Sequence, residues 1–164
     1  MEKIEKVQRK SKFHVAAFII CLVVPWTVGI ISGLISSSAM ASYENIVKPP
    51  LSPPGAVFPI AWGILYTLMG IGSYQFYISD KDDSLMLMFV YLIQLFFNFL
   101  WSPIYFNAKL YWVALVWLMI MWLMIIYIVV KSYRVSKLAM IMFVPYLLWC
   151  TFAAYLNLMT AILN

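Results

Sequence analysis

The chain reads as an all-α membrane protein, a single bundle of five transmembrane helices. Three observations predict it. Sixty-five per cent of the 164 residues are hydrophobic and only 10% are charged, far from the balance of a water-soluble domain. The charges are segregated: no Asp, Glu, Lys or Arg occurs in 13–43, 49–79, 84–108, 110–130 or 138–164. Each window reaches the roughly 20 residues a helix needs to cross a hydrocarbon core about 30 Å thick. Inside the windows the apolar runs are continuous rather than alternating, which argues against a transmembrane β-barrel.

The elements follow in order. Residues 1–12 form a basic N-terminal tail, and 13–164 form the five-helix domain. The first helix is expected at about 13–36. Its apolar run from Phe13 to Ile35 is longer than the core of a secretory signal, so Ala39-Met40-Ala41 is not read as a cleavage site. Gly29-x-x-x-Gly33 inside it permits close backbone approach, at a homodimer interface or within the bundle; the sequence leaves both open. The longest connector, 37–55, carries Tyr43, Glu44 and Lys48 and then four prolines in six residues, Pro49, Pro50, Pro53 and Pro54. Proline fixes φ and lacks a backbone donor, so this stretch is a stiff strap, expected as a lid at the mouth of the bundle. The remaining helices are expected at about 56–79, 85–105, 110–131 and 138–162. They are joined by an acidic turn (Asp80, Asp82, Asp83), a tight turn at 106–109 and a basic turn at 132–136. Short connectors make sequence neighbours antiparallel.

Orientation follows from the basic residues. Lys3, Lys6, Arg9, Lys10, Lys12, Lys81, Lys131, Arg134 and Lys137 fall on one side; Lys48 and Lys109 fall on the other. That bias predicts a multi-pass protein of the cell membrane with its N-terminus in the cytoplasm and its C-terminus outside. The net charge of +5 is thus a topology signal, and no nucleic-acid partner is expected, because no folded basic surface remains to bind one.

The uncharged spans narrow the chemistry. Proton relays, ion-coupled transporters and voltage sensors use ionisable groups at membrane depth, and these spans have none. Ser-His-Asp and Cys-His sets, a metal cluster and a glycine-rich phosphate loop are missing as well. Cys21 and Cys150 lie in apolar runs and read as small buried hydrophobes; no metal and no cofactor is expected. What the chain does carry is amides and large aromatics, with 7 Trp, 11 Tyr and 11 Phe. In the third span Tyr91, Gln94, Asn98, Trp101 and Tyr105 share one helical face. In the fifth, Trp149, Ala153, Asn157 and Thr160 do so, with Pro145 and Tyr146 one turn earlier. In the second, Phe58, Trp62, Tyr66 and Ser73 line up. An amide facing lipid is costly, so Gln94, Asn98 and Asn157 should point inward. One such stripe is ordinary interhelical packing. Three stripes beneath one rigid strap predict an apolar, flat-walled pocket for a planar hydrophobic ligand.

These residues carry a resemblance. Lys48-Pro49-x-x-x-Pro53-Pro54, followed by Phe58 and Trp62-x-x-x-Tyr66-x-x-Met69-Gly70, resembles the signature of the translocator protein family, also called tryptophan-rich sensory protein or peripheral benzodiazepine receptor. Gln94-Leu95-x-x-Asn98-x-x-Trp101-Ser102 and Pro145-Tyr146-x-x-Trp149-x-x-x-Ala153-x-x-Leu156-Asn157 agree, in order, as does the ending Leu163-Asn164. The match covers residues 43–164. It implies a five-helix bundle, commonly a homodimer, that binds porphyrins (tetrapyrroles) and benzodiazepine-type ligands among membrane lipid. Carried over residue by residue, Trp62 and Trp149 match the tryptophan pair of the family pocket. Tyr66, Asn98, Trp101 and Ala153 match other wall positions, and Tyr43 and Pro53 match the capping loop; Lys48 is added from the charge pattern as a contact for an anionic ligand group. The resemblance also implies, for some bacterial relatives, light-dependent porphyrin degradation at the tryptophan pair, which makes Trp62 and Trp149 the candidate catalytic residues.

Two departures bear on ligand preference. Leu51 stands where many relatives have Trp, and Ser42 where another aromatic is frequent, so the lid offers less aromatic surface. The sterol pattern expected late in the fifth span is absent, because no basic residue follows Tyr155. The leading reading is a membrane receptor or carrier for porphyrins that modulates their transport or a stress response. A light-dependent porphyrin-degrading enzyme, a small-molecule exporter and a purely structural protein are the alternatives. The exporter lacks a coupling charge, and a sealed structural bundle has no need of a lid.

Overall fold

A computed structural model describes residues 13–42 and 46–164. The basic tail at 1–12, together with Tyr43 and Glu44 of the strap, lies outside the described residues. Five helices follow one another: α1 (Val15–Ser42), α2 (Val57–Ile78), α3 (Asp83–Ser102), α4 (Tyr111–Val135) and α5 (Lys137–Leu163). All five are long and apolar enough to cross a membrane, and no strand occurs among the described residues. The protein is a multi-pass helical membrane bundle. Helices are the open-ended solution here, since each satisfies its own backbone where no water is at hand.

Element boundaries depart from expectation in two places. Helix α1 runs on through Ser42, beyond 36, because Ser36 to Ser42 contains neither Gly nor Pro to stop it. Residues 132–135, expected in a basic turn, instead complete α4. The connection to α5 shrinks to Ser136 alone, which adopts extended backbone and accepts a hydrogen bond from the Ala139 N–H with its hydroxyl, an N-cap. The Lys81 ammonium donates to the Arg134 carbonyl at the end of α4, where a cation suits both the free acceptor and the helix dipole. Between α3 and α4 the chain makes a π-helical turn at Pro103–Asn107 and reverses through Lys109, whose φ is +54°.

Around the bundle the helices are ordered α1, α2, α5, α4, α3, with α3 closing back on α1. Helix α5 therefore stands between α2 and α4. Close contacts are made where side chains are absent. A Cβ on Gly70 would come within 2.8 Å of the Cys21 carbonyl and Leu22 backbone, so α1 and α2 touch main chain to main chain. At the end that carries Lys81 and Arg134 the core is solid. Phe76 stacks on Phe143 at 5.7 Å and Tyr91 meets the same ring edge-on, with Leu87, Ile125 and Ile128 fully buried around them. The His14 N–H ties the start of α1 to the Tyr74 hydroxyl at 2.9 Å.

The strap lies at the opposite end and is not extended throughout. Ser52 N–H donates to the Pro49 carbonyl at 3.2 Å, and Leu51 sits at φ +66°. This is a type II turn with Pro at its second position and leucine where glycine is usual. The strap is fixed to α5 at two points: the Tyr155 hydroxyl donates to the Pro50 carbonyl at 3.2 Å, and Asn164 bonds the backbone of Val47.

Candidate functional site

Beneath the strap the packed core gives way to a cavity of about 520 Å³, in the range of small-molecule sites. The three stripes form its walls. Lys48 and Pro53 of the strap, Trp62 and Tyr66 of α2, Asn98 and Trp101 of α3, and Trp149 and Ala153 of α5 all line it. Among the expected site residues only Tyr43 falls outside the described part of the chain. Helix α1 closes the remaining side with Gly29, Ser32, Gly33 and Met40.

That fourth wall is what the sequence reading missed. Its signal was present in the spacing of Gly29, Ser32, Gly33 and Ser36, a small-residue face too plain to suggest a pocket. The two glycines do different things. A Cβ on Gly29 would overlap the Tyr66 ring at 2.1 Å, whereas one on Gly33 would meet nothing within 4 Å. Gly29 admits the tyrosine; Gly33 leaves the cavity open. Both line the cavity, and only Gly29 is in close packing within the bundle.

The amides point inward, as lipid exclusion requires. Gln94 and Asn157 are at most 1% exposed and Asn98 is 6% exposed. Asn157 takes the Trp101 indole N–H on its oxygen at 3.3 Å and donates to the Tyr111 carbonyl at 2.9 Å, fixing that indole in the wall. Trp101 stacks on Tyr105 at 4.9 Å, and the Tyr105 hydroxyl donates to Thr160. Trp62 stacks on Tyr66 at 5.2 Å, and Phe58 stands edge-on to Trp149 at 6.1 Å. Ser32 donates to the Phe99 carbonyl, so its proton is not offered to the cavity.

Indole donors divide into two groups. Those of Trp26, Trp101, Trp117 and Trp122 bond protein acceptors. Those of Trp62, Trp112 and Trp149 have no acceptor among the described residues, and of these three Trp62 and Trp149 stand at the cavity. Among the described residues Lys48 is the one charged side chain on the lining, and it sits at the strap. The site thus presents flat aromatic faces, two spare N–H donors, neutral amide and phenol groups, and a single cation at its mouth. It is fitted to hold a planar apolar molecule and to tolerate an anionic substituent on the strap side.

A family model described as the TspO/MBR family matches residues 19–163. The chain is 37% identical over 122 residues to the tryptophan-rich sensory protein of Cereibacter sphaeroides, covering 74% of this chain and 76% of that one. It is 33% identical to the translocator protein of Homo sapiens over 77% of this chain and 76% of that one. It is 30% identical to protein CrtK of Rhodobacter capsulatus over 71% and 74% of the respective chains.

Proposed function

The chain belongs to the TspO/MBR family, and on that premise we propose that it is a membrane receptor or carrier that binds porphyrins and benzodiazepine-type ligands in the aromatic cavity. In this reading it modulates porphyrin transport or a stress response, acts as a homodimer in the cell membrane, and has its N-terminus in the cytoplasm. One observation carries the ligand assignment: Trp62, Tyr66, Asn98, Trp101, Trp149 and Ala153 meet around a single cavity capped by the strap. A macrocycle laid between aromatic walls would keep its carboxylates at the mouth near Lys48, because an unpaired charge is costly in an uncharged interior.

A second reading, light-dependent porphyrin breakdown, is favoured by the position of Trp62 and Trp149. Both indoles face the ligand space without a protein acceptor, placed to pass an electron to a photoexcited macrocycle. Purified protein titrated with protoporphyrin in darkness and then in light tests both. Saturable binding with an unchanged Soret band in light supports the receptor; loss of the band in light that requires the two tryptophans supports the enzyme. Absence of saturable binding overturns both.

A further inference from the structure

A chain of hydrogen bonds runs from the cavity wall into the closed core. The Tyr66 hydroxyl donates to Asn98 Oδ1 at 3.0 Å, Asn98 Nδ2 donates to the Tyr146 oxygen at 3.1 Å, and the Tyr146 hydroxyl donates to Gln94 Oε1 at 3.1 Å. Tyr66 and Asn98 line the cavity, while Tyr146 and Gln94 do not and are wholly buried. Every proton in the chain points away from the cavity, and the far end is left unsatisfied: Gln94 Nε2 has no acceptor. A buried N–H without a partner costs the desolvation of that group.

The same four side chains can run the other way. Rotating the two amides by half a turn lets Gln94 Nε2 donate to Tyr146, Tyr146 donate to Asn98 Oδ1, and Asn98 Nδ2 donate to Tyr66. The number of bonds is unchanged. One Gln94 N–H gains an acceptor while the other stays unpaired, its carbonyl loses its donor, and the Tyr66 proton is released into the cavity. Asn98 keeps one spare N–H in either direction, so what changes at the wall is Tyr66 alone. With protons directed inward, Tyr66 offers a lone pair and suits a ligand N–H. With protons directed outward, it offers a proton and suits a ligand carbonyl.

We propose that this Gln94–Tyr146–Asn98–Tyr66 chain is a reversible polarity element that lets one cavity accept both N–H and carbonyl ligands at Tyr66. Gln94 and Tyr146 act as positioning residues, since neither touches the ligand. The proposal rests on the cavity being the ligand site. Because the amides of Gln94 and Asn98 turn about their own axes, reversal needs no helix movement and no change in volume.

Three tricyclic probes of nearly equal shape test it with full-length protein: fluorenone (carbonyl only), carbazole (N–H only) and fluorene (neither). Wild type should bind fluorenone and carbazole more tightly than fluorene, and Tyr66→Phe should abolish both advantages. Gln94→Met cannot donate, so it favours the inward direction; the carbazole-to-fluorenone affinity ratio should rise about fivefold, the weight of one hydrogen bond. Tyr146→Phe strands the Asn98 amide, whose unpaired N–H groups cost more than its unpaired carbonyl. That change favours the outward direction, and the same ratio should fall by about the same factor. Fluorene affinity should stay constant in both variants, a control for an intact cavity. Should one variant fail to fold, the sign of the other's shift still decides. Ratios that do not move, or that move in the same direction, overturn the proposal. Equal binding of all three probes to wild type overturns it and leaves the cavity reading standing, whereas no binding of any probe removes both.

Discussion

Asn164 grips Val47 with both ends of its amide, taking the Val47 N–H on Oδ1 at 3.1 Å and donating Nδ2 to the Val47 carbonyl at 3.2 Å. The same Nδ2 also reaches the Thr160 carbonyl, so the strap is pinned to the last turn of α5. Asn164→Ala should leave the bundle folded but free the strap at this point. The dissociation rate of a cavity ligand should rise several-fold, since ordering the strap then falls on the binding step. Hydrogen exchange at residues 46–53 should rise in parallel. Unchanged exchange there would show that the Tyr155–Pro50 bond is sufficient alone.

The two glycines of α1 should respond in opposite ways to added bulk. Gly29→Ala drives a methyl into the Tyr66 ring and should destabilise the protein by about 1–3 kcal/mol through overpacking. Gly33→Leu enters open cavity space and should leave thermal stability nearly unchanged while abolishing binding of a planar ligand. Thermal unfolding in detergent and ligand titration on both variants check this pair.

Lys48 lines the cavity from the strap and is exposed. If it meets a porphyrin carboxylate, Lys48→Gln should weaken protoporphyrin by about 1 kcal/mol or less, by an amount that shrinks as salt rises. A neutral benzodiazepine-type ligand should be unaffected. Equal loss for both ligands would leave Lys48 a structural anchor only.

Tryptophan fluorescence separates cavity indoles from packing indoles. Trp62→Phe with Trp149→Phe should remove most of the saturable quenching by bound porphyrin. Trp117→Phe with Trp122→Phe should matter less, since those indoles bond Phe97 and Thr151 and are not among the cavity residues. Equal losses from the two pairs would reject the assigned wall.

The reach of the sequence differed from wall to wall for a physical reason. Gln94, Asn98 and Asn157 announced the inner faces of α3 and α5, because an amide has nowhere else to go in hydrocarbon. Trp62, Tyr66 and Trp149 fell on the same faces by helical spacing. The α1 wall stayed hidden, since Gly29, Ser32 and Gly33 act by the space they leave, and a small-residue face reads equally well as helix packing. The end of α4 was misread because Lys131 and Arg134 signal a membrane boundary, not a helix boundary; a helix continues into water without difficulty. The prolines predicted a stiff, extended strap but not its turn at Pro49–Ser52, for Leu51 occupies a positive φ that glycine would normally announce.

The placing of α5 between α2 and α4 has a bearing on biogenesis. Spans enter the membrane in chain order, yet the partner that covers the aromatic face of α2 is the last of the five to arrive. Until then Trp62 lacks its neighbours on α5, although Tyr66 already has Gly29 of α1 and Asn98 of α3 to pack against, and hydrogen bonds such as Asn98 to Tyr146 have one side missing. The cavity is therefore complete only once α5 has joined the other four helices.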